Sequence, residues 1–433
     1  MKPKINLDPL RGFRDILAPD SEELTALATT FKRLARRHGY REVIPPTLER
    51  FELFALKSGE EIRRSMYVFR DKAGREVAMR PEATASIARI YLRHLRAQPK
   101  PVRLYYVVNC FRYEEPQYAR YREFYQAGVE LIGEQSPTGD IEVAALLYRF
   151  YEKIGMNKHI EVLAGTTGVY RALFEKYRVP EEKQDHILHL MDKKEYDKAR
   201  LELESVNNEL AEIASKLWDI GDIDTEGRFR EAHSLLESVE PRAAEALEHL
   251  RFFAESLANL GAKIRTDLSF ARGLAYYTGI IFEVKVPGFP VSIAGGGRYD
   301  TLIELYGGEH MPATGFAIGL DRTLIAAKEV GIDLRLEPEP APRVAIVYLE
   351  RGVLPYAIRV QGMLVEWGME ASIYGEKKLG RLLPRLAEEG YRYAVILGKR
   401  EAERGVAAVR DLSTRRQVEV SLEKLPLTLL GWA

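Results

Sequence analysis

The stretch FRYEEPQYARYREFYQAGVELIG, residues 111–133, decides how the chain is read. RLYYVVNCFRY and REFYQAGVELIG are strand-like texts joined by a polar loop, so residues 102–133 predict two paired strands. A strand has period two. Arg122, Phe124, Gln126, Gly128 and Glu130 therefore share one face of the second strand, and Glu123, Tyr125, Ala127, Val129 and Leu131 the other. The second face is mostly apolar and suits a core. The first carries a cation, a ring, an amide and a carboxylate, a set that fits a binding face as well as a solvated one. Its mid-strand glycine suggests the close approach of a ligand or another backbone.

Cations gather around this hairpin. The first strand ends in Phe111-Arg112, and the loop adds Arg120 and Arg122. Further on, GFAIGLDR (315–322) reads as a strand running into a helix, with Arg322 in the first turn. Backbone N–H groups and the helix dipole favour anions there. Arginine's planar fork matches phosphate oxygens through two parallel hydrogen bonds. Three arginines on separate elements suit a triphosphate, although each alone suits an ordinary surface.

At 433 residues the chain is too long for one core, so two or three domains are expected. Basic and acidic residues balance at 64 each, so any nucleic-acid surface must be a local patch. The lone cysteine, Cys110, excludes an internal disulfide framework and a cysteine-rich zinc site. No apolar run is long enough to span a bilayer, and MKPKINLDPL has no signal-like core, so a cytoplasmic protein with no membrane partner is expected. An amphipathic helix is predicted over 20–39, with Asp20 as N-cap and a basic face of Lys32, Arg33, Arg36 and Arg37. REVIPPTLE (41–49) suggests an edge strand interrupted by Pro45 and Pro46. Residues 167–260 turn to Leu-, Glu- and Lys-rich helical text, LEPEPAPR (336–343) is a linker, and strand and helix alternate from 344 to 433.

The order and spacing of RPEATA (80–85), FRYEEPQYARYREFYQAGVELIG, RGLAYYTG (272–279), GGGRYD (295–300) and GFAIGLDR resemble histidyl-tRNA synthetases over essentially the whole chain. The hairpin and GFAIGLDR are similar to class II motifs 2 and 3, and the text around Pro46 to motif 1, the dimer interface of that class. The resemblance implies an α+β fold, with an antiparallel class II sheet flanked by helices in residues 1–335. A helical insertion at 167–260 and a C-terminal α/β anticodon-binding domain at 344–433 go with it. It also implies L-histidine, ATP with Mg2+, tRNA(His) and a second copy of the chain as partners.

Roles follow by resemblance. Arg112 and Arg272 would flank the α-phosphate as the catalytic pair, and Glu114 and Phe124 would hold adenine. Arg120 and Arg322 would take the distal phosphates. Glu82 and Thr84 would bind the α-ammonium, and Glu130 and Tyr277, with Gln126, Tyr276 and Tyr299 alongside, would match the imidazole. Neutral imidazole needs one acceptor and one donor in fixed places. Plainer assignments are a tight turn at Gly295–Gly297, core aromatics at Tyr276–Tyr277 and a helix-start carboxylate at Glu82. Two positions depart from the family pattern: Ala275, where aspartate is usual, and Glu115, where many bacterial members carry arginine. Rival identities are a histidine-binding regulatory subunit of ATP phosphoribosyltransferase and a class II synthetase for another small amino acid. No metal-ligating residue stands out, and Arg381, Arg385, Lys377 and Lys378 offer a possible basic face in the C-terminal domain.

Overall fold

The structure is a computed structural model that describes residues 6–56, 65–271, 276–332, 334, 341–375 and 379–431. Its strands are β1 (Arg41–Glu42), β2 (Leu48–Arg50), β3 (Val68–Arg70), β4 (Glu76–Met79), β5 (Val102–Phe111), β6 (Glu123–Ile132), β7 (Glu161–Thr166) and β8 (Ile264–Thr266). They continue as β9 (Ile280–Lys285), β10 (Ala294–Arg298), β11 (Ala313–Gly319), β12 (Ala341–Tyr348), β13 (Met369–Gly375), β14 (Tyr393–Leu397), β15 (Val406–Asp411) and β16 (Gln417–Ser421).

The main sheet has the order β1-β5-β6-β11-β10-β9-β7-β8. Its six central strands are antiparallel, and β1 and β8 add a parallel edge on either side. The sheet is therefore mixed rather than purely antiparallel. β8 returns beside β7 only after the insertion, and a crossover of that kind yields parallel neighbours. The prolines at 45 and 46 do not interrupt one strand. They separate β1, at the edge of this sheet, from β2, which pairs with β4 in a three-stranded sheet.

One face of the main sheet is packed under the helices Asp20–Arg37, Thr138–Lys153 and Leu320–Glu329, with Phe31, Phe150, Val129 and Phe316 in the common core. The other carries a smaller core of Tyr106, Ile281, Tyr277 and Tyr299 beside the helix Thr84–Ile90. Polar groups remain on this side, and the cleft opens here. The first long helix begins at Asp20, but Pro19 is the capping residue and no side chain caps it. Asp20 instead accepts from Lys328 at 2.7 Å. Gly39, at φ +84°, ends the helix.

Between β7 and β8 lie six helices, Thr167–Lys176, Glu181–Asp192, Tyr196–Glu204, Asn208–Ile220, Glu226–Val239 and Pro241–Asn259. The Thr166, Asn207, Thr225 and Glu240 side chains accept from first-turn N–H groups, which fixes four of the starts.

The C-terminal sheet has the order β13-β12-β14-β15-β16, parallel across the first three strands and antiparallel beyond. Its first strand starts at Ala341, three residues ahead of Val344. This unit docks on the helical side of the main sheet. Arg103 of β5 pairs with Glu142 at 2.8 Å through both Nε and Nη2, and Nη2 also donates to the Ile373 carbonyl of β13. Ser372 Oγ donates to the His38 carbonyl at 3.1 Å.

Candidate functional site

A cleft runs along β6, β11 and β10 on the smaller-core side. It brings together Glu82, Thr84, Arg112, Glu114, Arg120, Phe124, Gln126, Glu130, Tyr276, Tyr277, Tyr299 and Arg322. Arg272, Ala275, Lys377 and Lys378 lie outside the described residues. Phe124 and Glu130 are six residues apart on one face of β6, a span of about 20 Å. The cleft is thus a long trough with chemically distinct ends.

At the Glu130 end, Thr84 Oγ1 donates to Glu130 Oε1 at 2.9 Å. Glu82 accepts the backbone N–H groups of Thr84 (2.6 Å) and Ala85 (3.1 Å), so it does cap a helix start while also lining the cleft. The rings of Tyr276, Tyr277 and Tyr299 cluster with centroids 4.9–6.5 Å apart. The glycines beneath are a packing requirement. Gly315 lies opposite both Glu130 and Gly297. A Cβ on Gly315 would come within 2.5 Å of Glu130 Oε2 and of the Tyr299 hydroxyl. A Cβ on Gly296 would lie 2.2 Å from the Gly315 carbonyl. The glycine run is therefore strand rather than tight turn. Gly128 is likewise closed in from within, by Tyr106 of β5 and by the backbone carbonyl of Phe316 on β11.

At the other end, Arg112 Nε donates to the Pro81 carbonyl at 3.1 Å and its guanidinium lies 5.2 Å from the Phe124 ring centroid. Gly319 ends β11 and the helix starts at Leu320, which puts Arg322 in the first turn. Two carbonyls hold it, Ala119 at 3.2 Å and Ser292 at 3.1 Å. Burial, then the charges of Arg112 and Arg120, pull the Arg322 guanidinium down to about 10, against the opposing pull of Glu114 and Asp321. It stays charged at neutral pH. An excess of mutually repelling cations around a partly buried group is a field that a polyanion relieves. Arg122 turns away, donating to the Glu114 carbonyl at 3.0 Å and lying over Tyr113, so it does not join the cleft.

Three residues in or beside the cleft are not marked by strand periodicity. Asp321 is buried, accepts Arg14 at 2.5 Å and the Tyr125 N–H at 2.6 Å, and so ties the N-terminal segment to both arginine-bearing elements. Arg14 also lies 3.8 Å from the centroid of Tyr121, a cleft residue. Cys110, its thiol pushed up to about 12 by burial, keeps its proton and sits 3.5 Å from Gln126 Oε1. Asp321 had a visible signal, since it directly precedes Arg322. Arg14 had none, because its partner is 307 positions away.

A sheet with an antiparallel centre, an arginine-bearing hairpin and strand–helix junction at one end of a trough, joined to a separate α/β unit, defines a class II aminoacyl-tRNA synthetase. The sequence model of histidyl-tRNA synthetases matches residues 12–323 and that of the anticodon-binding domain residues 343–431. A histidine–tRNA ligase of Saccharolobus solfataricus is 42% identical over 97% of this chain and 98% of that protein. One of Saccharolobus islandicus is 44% identical over 96% of this chain and 97% of that protein. The histidyl-tRNA synthetase structure from Nostoc sp. PCC 7120 superposes at a TM-score of 0.62 with 25% identity, over 99% of this chain and all of that one. The chain belongs to the histidyl-tRNA synthetase family.

Proposed function

We propose that this protein is a histidine–tRNA ligase, activating L-histidine with ATP to histidyl-adenylate and transferring histidine to tRNA(His). The observation that carries this is one trough along β6, with Glu130, Gln126, Tyr277 and Tyr299 at one end and Phe124 with three arginines from separate elements, Arg112, Arg120 and Arg322, at the other. On this reading Glu82 and Thr84 take the α-ammonium. Glu130 accepts an imidazole N–H, Tyr277 donates to the other ring nitrogen, and Gln126, Tyr276 and Tyr299 close the pocket. A pocket that pairs both nitrogens rejects isosteres that leave its groups unmatched.

Phe124 stacks on adenine beside Glu114, and Arg120 and Arg322 hold the distal phosphates. The histidine carboxylate then attacks the α-phosphorus in line, one P–O bond forms as the bond to pyrophosphate breaks, and charge builds on the equatorial oxygens. Arg112, with Arg272 assigned opposite by family pattern, stabilises that charge, so no protein nucleophile is needed. A terminal ribose hydroxyl of the tRNA then attacks the acyl carbon and AMP leaves.

Mg2+ fits this donor set. No group of three potential ligands occurs among the described residues, and the ion is commonly held by one or two carboxylates plus substrate phosphates. Mg2+ would be held chiefly by the substrate phosphates with water completing its shell, and would neutralise charge on the pyrophosphate.

The accompanying organisation is a catalytic part over residues 1–335 with its insertion at 167–260, a linker at 336–343, and a tRNA-reading part at 344–433. A homodimer in the cytoplasm goes with it. Among the described residues no helix is long and apolar enough to cross a membrane. The anticodon-binding match at 343–431 favours the ligase over a regulatory subunit. The test is histidine-dependent ATP–pyrophosphate exchange, with the other nineteen amino acids as controls, then charging of total tRNA. Exchange with histidine alone and a charged tRNA are expected. Histidine binding without exchange would overturn the assignment.

A further inference from the structure

Behind the cleft floor lies a hydroxyl that the foregoing chemistry does not use. Tyr106 of β5 stands opposite Gly128 of β6, fully buried, in the same cluster as Tyr277 and Tyr299. A Cβ on Gly128 would lie 2.4 Å from the Tyr106 hydroxyl and 2.5 Å from its Cζ. The end of the ring therefore fills the gap on β6 between Gln126 and Glu130. The hydroxyl has no hydrogen-bond partner among the described residues. Burial, with the charges of Glu130 and Glu82 added, holds it well above its usual range, so it keeps its proton and has it to donate.

Phenylalanine would fill the same space with no polar atom to satisfy, and a buried donor left unpaired is destabilising. A tyrosine held against the floor of a ligand cleft makes sense when binding brings an acceptor within its reach. Gly128 and Glu130 are same-face neighbours on β6, roughly 7 Å apart. That distance is within the combined reach of a glutamate side chain and the tyrosine hydroxyl above Gly128. Gln126, the neighbour on the other side, already has its Oε1 beside Cys110 Sγ at 3.5 Å.

We propose that Tyr106 is a positioning residue for histidine selection: as histidine enters, its hydroxyl donates to the Glu130 carboxylate, keeping that group ionised and aimed at the imidazole N–H. This rests on the assignment of the Glu130 end to the amino acid. Tyr106 does not touch the substrate and acts only through Glu130.

The test is Tyr106→Phe in the full-length protein, with histidine binding measured by calorimetry and exchange kinetics run for histidine and for ATP. The histidine Kd and KM should both rise about tenfold, the worth of one hydrogen bond to a charged group. KM for ATP and kcat should not change, and the melting temperature of the free protein should hold or rise, because the variant loses an unpaired buried donor. The acid limb of histidine binding should move to higher pH, because Glu130 takes up a proton more readily without its donor. Gly128→Ala, whose Cβ would press on the hydroxyl at 2.4 Å and on the Phe316 carbonyl at 2.5 Å, should weaken histidine binding at least as much and lower the melting temperature. Wild-type histidine affinity and an unshifted pH profile in Tyr106→Phe would overturn the proposal. So would an equal loss of histidine and ATP affinity, which would mark Tyr106 as packing alone. If the wild type binds histidine without exchange, the ligase assignment fails, while the Kd comparison still decides for or against Tyr106. A wild type that does not bind histidine overturns both.

Discussion

Replacing Glu142 by glutamine tests how the two sheets are joined. The Arg103 and Glu142 side chains are only 4% and 2% exposed and pair at 2.8 Å. Glu142 also accepts from the Tyr40 hydroxyl at 3.0 Å, and Arg103 lies 5.0 Å from the Tyr374 ring centroid. Opposite charges about 4 Å apart at an effective dielectric of about 20 attract by roughly 4 kcal/mol. Removing one partner of a buried pair typically costs about 3–5 kcal/mol, because the other charge is left uncompensated. Glu142→Gln is nearly isosteric, so a loss of about 3 kcal/mol or more would be electrostatic rather than steric. Urea unfolding gives the magnitude, and a double-mutant cycle with Arg103→Met gives the coupling, expected at about 2 kcal/mol or more. Hydrogen exchange locates the effect. Amides of β13 should lose protection first, because Arg103 is hydrogen-bonded to the Ile373 carbonyl within that strand. A cost under about 1 kcal/mol, as for a solvated surface pair, would refute the reasoning and mean that water reaches this interface.

Other consequences follow from the same geometry. His38 is buried and held down to about 4, first by burial and then by the charges of Arg149 and Arg37, against its hydrogen bond to the Leu34 carbonyl. The unfolded chain binds a proton below pH 6.5 that the folded one refuses, so stability falls as pH drops from 6.5 toward 4. About 2 kcal/mol should go between pH 7 and 5, and urea unfolding of His38→Gln should show a flatter profile over that window. Gly315→Ala places a Cβ 2.3 Å from the Val129 carbonyl and 2.4 Å from Glu130 Oε2, so β6 and β11 must part. It should cost about 1–3 kcal/mol and raise KM for histidine far more than KM for ATP in exchange assays. Glu130→Gln should raise KM for histidine about 10- to 100-fold while leaving KM for ATP near wild type, the worth of a charge-assisted hydrogen bond.

Much of the site was legible because it is local. Strand parity alone put Phe124, Gln126 and Glu130 on one face, and the structure keeps all three in the cleft. The same parity misassigned Arg122, which precedes β6 and turns over Tyr113 instead. Gly128 suggested the close approach of a ligand or another backbone, and the fold supplies the Tyr106 ring and the Phe316 carbonyl, because cross-strand register is not written in either strand alone. Glu82 was offered either as a helix start or as a ligand. The structure shows a carboxylate that caps and also lines the cleft.

The sequence by itself determined the elements, their order and the residue types at each end of the trough. Periodicity, caps and motif spacing are properties of neighbours along the chain. Tertiary structure decided which strands are neighbours, how the edges become parallel, and why Gly297 and Gly315 stand opposite each other beside Glu130. It also decided that Arg14 meets Asp321 and that Arg103 joins the two sheets through Ile373. Each of these depends on a partner remote in sequence, at 307 and 270 positions, so only close packing could reveal it.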